Sequence, residues 1–392
     1  MVTSPRDIPR DPQAFAVSAR DEKFGWMFDP NARVPDTAPA DMLEIIPKHW
    51  YNFAPVNPLW HYMLGMVYIV LFVVSLFGNL TALYLFLKDR TLRTPSNMLV
   101  INLTLSDLVM TLTNHTAFIY NAFMGGAWQL GPRVCEVCGF LGAVSGLASI
   151  CSLVAISWDR YRVIVQSFNA APLTVGKALA IMIFVWAYTM AFTLLPFFGI
   201  GAYVPEGILD SCTFDYFDTG VINTAYIWFC IVGFYIFPIL LICFFYYHIV
   251  NAVFQHEKAL KEQAKKMNVS TLRSNADQDK QSAEIRIAKV ALVNITVWAL
   301  CWTPYCVVVA IGISGDPMLV TPLVSALPAL FAKAVSTYNP LVYALSHPRY
   351  RAALRKHMPW VCISPDDDGK SKPAAADTTS TVSAETANQE KA

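Results

Sequence analysis

Seven long apolar blocks, separated by short polar stretches, constrain the fold of this chain more than any other feature. About 20 apolar residues in a helix cross the hydrocarbon core of a bilayer. Backbone polar groups in lipid must bond within their own segment, so such blocks are helices. The sequence therefore predicts an all-α membrane protein with seven spanning helices, at residues 60–87, 97–122, 135–164, 173–199, 223–250, 285–312 and 320–345.

Composition gives no support to a soluble enzyme or a nucleic-acid-binding protein. The chain is 55% hydrophobic and carries a formal net charge of +1, which indicates no nucleic-acid partner. Cys135 and Cys138 lie three residues apart, but no second pair with zinc-ligand spacing lies nearby. A phosphate-binding glycine loop, a GxSxG turn and an HExxH pair are missing from the sequence. We expect a protein that is not an enzyme and holds no metal.

The distribution of Lys and Arg predicts the orientation in the membrane. The segment 251–284, between the fifth and sixth blocks, is the most basic, whereas the segment between the fourth and fifth blocks carries four acids and no Lys or Arg. Positive charge is retained on the cytoplasmic side. We expect an extracellular segment at 1–59, the seven-helix domain at 60–346, a cytoplasmic amphipathic helix at 347–360 and a disordered cytoplasmic tail at 361–392.

Polar residues inside the predicted spans are functional candidates, because lipid penalises them. One motif falls in each of several blocks, and together they resemble the rhodopsin-like G-protein-coupled receptors over about residues 60–360. This resemblance implies a seven-transmembrane helix bundle of rhodopsin type with a short amphipathic cytoplasmic helix. It also implies switch residues at Asp107, Asp159, Arg160, Tyr161, Asn339, Pro340 and Tyr343.

Arg160 is charged at any pH and needs a partner at the inner membrane edge. Glu284 precedes Trp302 by eighteen residues, which places it at the same edge. A pair between Glu284 and Arg160 would hold the third and sixth helices together, and breaking it would release the sixth helix. Asp159 is a second possible partner, and Glu284 as a solvated loop charge is the alternative.

Lys333 stands near the middle of the last apolar block, in ALFAKAVSTYNP. Its side chain reaches about 6 Å, less than the core half-thickness of about 15 Å, so it cannot extend to water. A free ammonium there costs about 3 kcal/mol or more. The lysine either pairs with a buried acid in an ordinary receptor or forms a Schiff base with an aldehyde.

The spacing of six residues between Lys333 and Asn339 resembles that of opsins. This resemblance implies that Lys333 is the retinal attachment site and that Trp302 and Tyr305 are aromatic lining residues. Further stretches resemble arthropod rhabdomeric visual opsins, and particularly the insect short-wavelength branch: HEKALKEQAKKMNVSTLRS, SAEIRIAKVAL and HPRYRAALRKHMPW.

The arthropod resemblance also implies partners and a location. The cofactor is expected to be 11-cis-retinal or 3-hydroxyretinal. A Gq-type heterotrimeric G protein, arrestin, a receptor kinase and membrane lipid are the expected partners, in the plasma membrane of photoreceptor microvilli (the rhabdomere). The expected G-protein contacts are Lys265, Lys266, His347, Pro348 and Arg349. The expected lipidation site is Cys362, and the phosphorylation sites are Thr378, Thr379, Ser380, Thr381 and Ser383.

A protonated Schiff base in apolar surroundings needs a carboxylate partner. Vertebrate visual opsins place that acid on the third helix, where this chain has Cys138. Glu206 in YVPEGILDSC is the candidate instead, because a disulfide between Cys135 and Cys212 on the oxidising side would hold its loop over the bundle. The alternatives are free thiols and a solvated Glu206.

The expected colour follows from the second helix. Ultraviolet-sensing relatives carry a lysine in its outer half, where this chain has Thr113 or Asn114. Neither is charged, so we expect a protonated Schiff base and blue absorption, unless His115 turns inward with a charge. Two other functions remain open on the sequence: a retinal photoisomerase, which would use the same lysine, and a ligand-activated receptor without a chromophore.

Overall fold

The computed structural model describes residues 30–166, 171–267, 275–346 and 348–361. Within these ranges seven long helices follow the predicted blocks in order, and a short eighth helix comes after them. The helices are α1 Pro58–Lys88; α2 Pro95–Met110, continuing through a π turn Thr111–His115 into Thr116–Met124; α3 Pro132–Val165; α4 Val175–Thr193; α5 Val221–Ile231, continuing through a π turn Val232–Ile236 into Phe237–Met267; α6 Asn275–Ser314; α7 Pro322–Ser346; and α8 Pro348–His357.

Five of these helices are individually long and apolar enough to cross a membrane, counted within the described residues. The two others are α2, which the π turn divides, and α7, which contains Lys333 and two prolines. Both are packed inside the bundle, α2 against α1 and α3, and α7 against α1 and α6. The five spans are Pro58–Lys88, Pro132–Val165, Val175–Phe198, Val221–Gln255 and Ile287–Ser314.

Local sequence explains where several helices begin. The side chains of Asn57, Thr94 and Thr174 each accept a hydrogen bond from a backbone N–H in the first turn of α1, α2 and α4. Such caps satisfy groups that have no partner inside the helix. Proline follows immediately in α1 and α2, where its missing N–H costs nothing.

The segment between the fifth and sixth blocks is more helical than a loop at 251–284 would be. Helix α5 continues to Met267, and α6 begins at Asn275. Apolar content marks where lipid ends, but the Lys, Glu, Gln and Ala residues beyond it are strong helix formers in water. The fourth block is shorter than expected, because Pro196 lies in a separate turn, Leu195–Phe198, and cannot continue α4.

A two-stranded hairpin that the sequence analysis did not anticipate covers one end of the bundle, here called the hairpin end. Strand β1 (Tyr203–Glu206) pairs antiparallel with β2 (Ser211–Phe214), with Glu206 opposite Ser211. The predicted disulfide is confirmed: Cys135 at the start of α3 is bonded to Cys212 in β2, with Cα atoms 5.5 Å apart. This bond fixes the hairpin over the centre of the bundle.

Residues 30–57 fold over the hairpin in short 3₁₀ turns. The indole Nε1 of Trp50 donates to the carbonyl oxygen of Pro205 at 3.3 Å. His49 Nε2 donates to the carbonyl oxygen of Val320 at 2.8 Å, and its ring is stacked on Phe217 with centroids 3.9 Å apart. The segment therefore ties the hairpin to the start of α7 and adds a second cover.

At the opposite end, here called the α8 end, Asp89 joins the α1–α2 connection to α8. Its Oδ2 accepts hydrogen bonds from Lys356 Nζ at 3.1 Å and His357 Nε2 at 2.9 Å. Hydrogen bonds from Thr91, helped by those from α8, hold the pKa of the Asp89 carboxyl below its usual range. The helix is shorter than the predicted 347–360, and His347 lies outside the described residues.

Candidate functional site

A mainly apolar cavity lies between α2, α3, α5, α6 and α7, directly under β2. Trp298 and Trp302 form one wall, Thr213 and Phe214 of the hairpin form the roof, and Lys333 lies at one end. A long apolar molecule with one polar end fits this combination of walls and a single cation.

Glycines on α3 give the cavity its shape. A Cβ atom at Gly146 would lie 2.7 Å from the indole of Trp302, and one at Gly142 would lie 2.7 Å from Asn114 Oδ1. Both distances are below the closest approach of real side chains. The two glycines therefore allow Trp302 and Asn114 to approach α3 directly.

Lys333 and Glu206 face each other at the end of the cavity. Lys333 Nζ lies 3.9 Å from Glu206 Oε2, and the side chains are only 11% and 1% exposed. Within the described part of the chain neither of these two atoms has a hydrogen-bond partner. A buried amine nitrogen and a buried carboxylate oxygen without hydrogen-bond partners are unusual, because an unpaired polar atom in a protein interior is destabilising. They form a buried pair of groups that carry opposite charges when ionised.

Hydroxyl groups surround the other oxygen of Glu206. Tyr216 donates to Oε1 at 3.2 Å, and its hydroxyl lies 2.8 Å from Ser325 Oγ. Tyr305, which lines the cavity, makes a 2.6 Å hydrogen bond with Thr213. Burial raises the pKa of the Glu206 carboxyl, while the Lys333 ammonium and these hydroxyl groups oppose the rise. A cation at Lys333 thus favours the ionised carboxylate.

The structure also places the residues of α2 that the sequence left ambiguous. Asn114 lines the cavity and donates to the carbonyl oxygen of Cys138 at 3.3 Å. The hydroxyl of Thr113 donates instead to the backbone of its own helix. His115 is fully buried, and its Nε2 lies 3.3 Å from the carbonyl oxygen of Lys333. Cys138 thus lies beside the cavity, with its neighbour Asn114 facing into it.

Four of the predicted switch residues form two hydrogen-bonded pairs in the structure. Asn339 donates to Asp107 Oδ2 at 2.6 Å deep in the bundle, and Arg160 donates to Asp159 near the α8 end. Tyr343 is buried, and its ring contacts Phe86 and Tyr350.

For several other predicted residues the structure describes only the backbone, and some predicted residues lie outside the described ranges. Glu284 belongs to α6, and Lys265 and Lys266 belong to α5, but their side chains lie outside the described set, so the Arg160–Glu284 pair stays a prediction. Pro348 begins α8, and Arg349 is exposed on it. The predicted sites outside the described ranges are His347, Cys362, Thr378, Thr379, Ser380, Thr381 and Ser383.

The sequence analysis missed several residues of the site. Tyr216 and Ser325 bind Glu206 or its neighbours, and Thr213 joins the roof to α6. One signal was present for Tyr216, since it stands four residues after Cys212 in a loop expected to lie over the bundle. The roles of Ser325 and of the α3 glycines depend on tertiary contacts and carried no local signal.

Comparison with known proteins now identifies the class. Residues 78–343 match the model of the 7 transmembrane receptor (rhodopsin family). The chain is 47% identical to the compound eye opsin BCRH2 of Hemigrapsus sanguineus, over 93% of this chain and 97% of that protein. It is 45% identical to the lateral eye opsin of Limulus polyphemus, over 92% and 95%. The crystal structure of squid rhodopsin matches with a TM-score of 0.77 and 35% identity, covering 82% of this chain and 93% of that one.

The chain therefore belongs to the rhodopsin family of seven-transmembrane receptors. Its similarity to arthropod eye opsins makes it a light-sensing, multi-pass membrane receptor and not an enzyme. This class uses a retinal chromophore and a heterotrimeric G protein. The relatives include Hemigrapsus and Limulus opsins and do not single out the insect short-wavelength branch, which stays a prediction.

The residues present fit retinal. The cavity is apolar and has one amine, Lys333 Nζ, without a hydrogen-bond partner among the described residues. A carboxylate oxygen of Glu206, also unpartnered, lies 3.9 Å from that amine. An aldehyde at the end of an apolar chain is the chemistry that these groups match.

Proposed function

We propose that this protein is a visual pigment that binds retinal covalently at Lys333, with Glu206 as the counterion, and that it activates a Gq-type heterotrimeric G protein in light. The observation that carries the proposal is the buried Lys333–Glu206 pair, 3.9 Å apart at the end of an apolar cavity. Neither Lys333 Nζ nor Glu206 Oε2 has a hydrogen-bond partner among the described residues, so the carboxylate oxygen is available to stabilise a positive charge at the lysine nitrogen.

Each residue of the site has a separate task in this proposal. Retinal, bound as a Schiff base through its aldehyde with loss of water, supplies the absorption of light and a change of shape. Lys333 supplies the amine, and Glu206 stabilises the positive charge that remains at its nitrogen. The hairpin and residues 30–57 exclude water, which protects the covalent link against hydrolysis and strengthens the charge pair.

Helix α6 is the element best placed to respond to a change in the cavity. Trp302 on α6 contacts α3 at Gly146 and is stacked with Trp298, with ring centroids 5.4 Å apart. Pro304 lies two residues further along α6 and removes one backbone hydrogen bond, which weakens the helix there. We infer that pressure on Trp302 rotates the α8 end of α6 away from α3, where Arg160 lies.

The partners and location extend the same proposal. The long, basic continuation of α5 to Met267 supports docking of a G protein or of anionic lipid at the α8 end. The resemblance of this segment to rhabdomeric opsins supports a Gq-type partner, with arrestin and a receptor kinase for shut-off. We propose 11-cis-retinal or 3-hydroxyretinal as the chromophore, a rhabdomeric membrane, an extracellular N-terminus and a cytoplasmic C-terminus.

The test measures signalling and retinal release in one preparation. Wild type, Lys333→Ala and the control Lys177→Ala, an exposed lysine, are reconstituted with 11-cis-retinal and a Gq-type or a Gi-type heterotrimer. We expect light to accelerate nucleotide exchange on the Gq type in wild type and Lys177→Ala only. Light-driven retinal release without exchange would favour a photoisomerase, and exchange that needs no retinal would favour a ligand-activated receptor.

A further inference from the structure

The turn that carries Glu206 is a strained one. Between β1 and β2 the chain reverses within Gly207–Asp210, and both Gly207 (φ +61°) and Leu209 (φ 66°) are left-handed. Within the described part of the chain, Leu209 is the single non-glycine residue with positive φ. A side chain in this region is unfavourable and persists only where the surroundings hold it. Something outside the hairpin must therefore fix this turn.

The last residue of the turn, Asp210, is fixed on two sides. Its Oδ2 lies 2.7 Å from Nδ1 of His61 on α1, with side-chain exposures of 0% for Asp210 and 3% for His61. Its backbone carbonyl accepts a hydrogen bond from Asn121 Nδ2 on α2 at 3.4 Å. The turn is thereby joined to two helices, neither of which carries Lys333.

The buried His61–Asp210 pair is not used by the site as described so far, and burying it is costly. Burial raises the pKa of the Asp210 carboxyl, and the hydrogen bond from His61 opposes the rise. A buried polar pair is weak in stabilising a fold, but removing one partner leaves the other uncompensated. Such a pair is more useful for specifying one geometry than for stability.

We propose that His61 and Asp210 are positioning residues that hold the strained turn, and through it the Glu206 carboxylate, against the nitrogen of Lys333. The inference rests on the proposed function, since it concerns the counterion of that site. The path is short: Glu206 ends β1, Leu209 N donates to Glu206 O at 2.9 Å, and Asp210 follows directly. Loss of the His61–Asp210 hydrogen bond therefore allows Glu206 to move, and the distance from Glu206 to Lys333 sets the strength of their charge interaction.

The pair acts through position more than through its own charge. Asp210→Asn separates the two effects, because it removes the carboxylate charge but keeps an oxygen that can accept a hydrogen bond from His61. The other titratable groups around the two carboxylates are Tyr68 on α1, within electrostatic range of both, Tyr216 and Tyr305 beside Glu206, and Lys333 on α7. These groups are unchanged in the variants proposed below.

The experiment compares four variants of the reconstituted pigment: Asp210→Ala, Asp210→Asn, His61→Ala and the exchange His61→Asp/Asp210→His. The readout is the pH at which half of the visible band of the dark pigment is lost to the ultraviolet. We expect Asp210→Ala and His61→Ala to lower the proton affinity of the Schiff base about tenfold or more, which is about one pH unit. Asp210→Asn, which can still accept from His61, should fall in between, and the exchange variant should recover most of the loss.

A second measurement uses the protein without retinal. Backbone hydrogen exchange over residues 203–214 should accelerate in Asp210→Ala and return in the exchange variant. The control is Glu136→Gln, which removes an exposed ion pair with Arg133 near the hairpin end and should change neither readout.

The outcomes separate this inference from the proposed function. Faster hydrogen exchange with an unchanged titration would overturn it, because the pair would then be merely structural. Where Asp210→Ala fails to fold, an unchanged titration in both His61→Ala and Asp210→Asn would overturn it. A wild-type protein that binds no retinal at Lys333 would instead refute the proposed function.

Discussion

Among the described residues, Glu206 is the carboxylate beside Lys333, and replacing it with Gln removes that negative charge. Two unit charges 3.9 Å apart interact by about 4 kcal/mol at an effective dielectric constant of about 20. Since one pH unit corresponds to about 1.4 kcal/mol, the proton affinity of the Schiff base should fall about a thousandfold, or about three pH units. Glutamine keeps the size and the hydrogen bond from Tyr216, so the change isolates the charge.

The assay is a spectrophotometric pH titration of the dark pigment in detergent. Wild type should keep its visible band at neutral pH, whereas Glu206→Gln should absorb in the ultraviolet and regain the visible band only on acidification. Glu44→Gln, an exposed acid in residues 30–57, serves as the matched control and should titrate as wild type does. A midpoint in Glu206→Gln within half a pH unit of wild type would refute the counterion assignment.

The remaining predictions concern the cover, the wall and the colour. Burial lowers the pKa of His49, so the folded cover favours the neutral ring. Below the usual pKa of about 6.5 the unfolded segment binds more protons than the folded one, so the stability of the fold increases with pH. The thermal half-life of the dark pigment should therefore shorten as the pH is lowered from about 7 to 5. A His49→Gln pigment with the same pH profile as wild type would contradict this. Gly146→Ala places a methyl group 2.7 Å from Trp302 and should slow pigment regeneration severalfold. The control Gly176→Ala, whose added methyl group has no atom within 4 Å, should regenerate as wild type does. Equal rates in the two variants would show that Trp302 moves to accommodate the methyl group. The wild-type pigment should absorb blue light, and Asn114→Lys should move its absorption to the ultraviolet, because a cation in the cavity disfavours protonation at Lys333; a wild-type peak in the ultraviolet at neutral pH would contradict the colour argument.

The number and order of the helices followed from sequence because a bilayer demands long apolar segments. Helix ends did not follow, since a charged segment such as the one ending at Met267 stays helical after it leaves lipid. The π turns at Thr111–His115 and Val232–Ile236 were also missed. They place Asn114 and Tyr235 in the cavity wall, and no local residue pattern predicts such an extra residue in a helix.

That Lys333 and Glu206 lie close together was predictable from sequence, because a buried charged group needs a partner of opposite charge. A lysine in mid-span requires a reason, and an acid held over the bundle by a disulfide supplies a partner. His61 and Asp210 were not predictable, since Asp210 counted only as one of four acids in its segment. Their pairing depends on how the hairpin folds back onto α1, which local sequence does not specify.

The most direct test of the central claim is to locate the covalent link between retinal and the protein. Pigment regenerated with 11-cis-retinal is reduced with borohydride, digested and analysed by mass spectrometry. The account predicts a single retinyl-modified peptide whose modified residue is Lys333, and no retinyl adduct in Lys333→Ala. A retinyl group on another lysine, or a visible pigment in Lys333→Ala with retinal still covalently bound, would contradict the account.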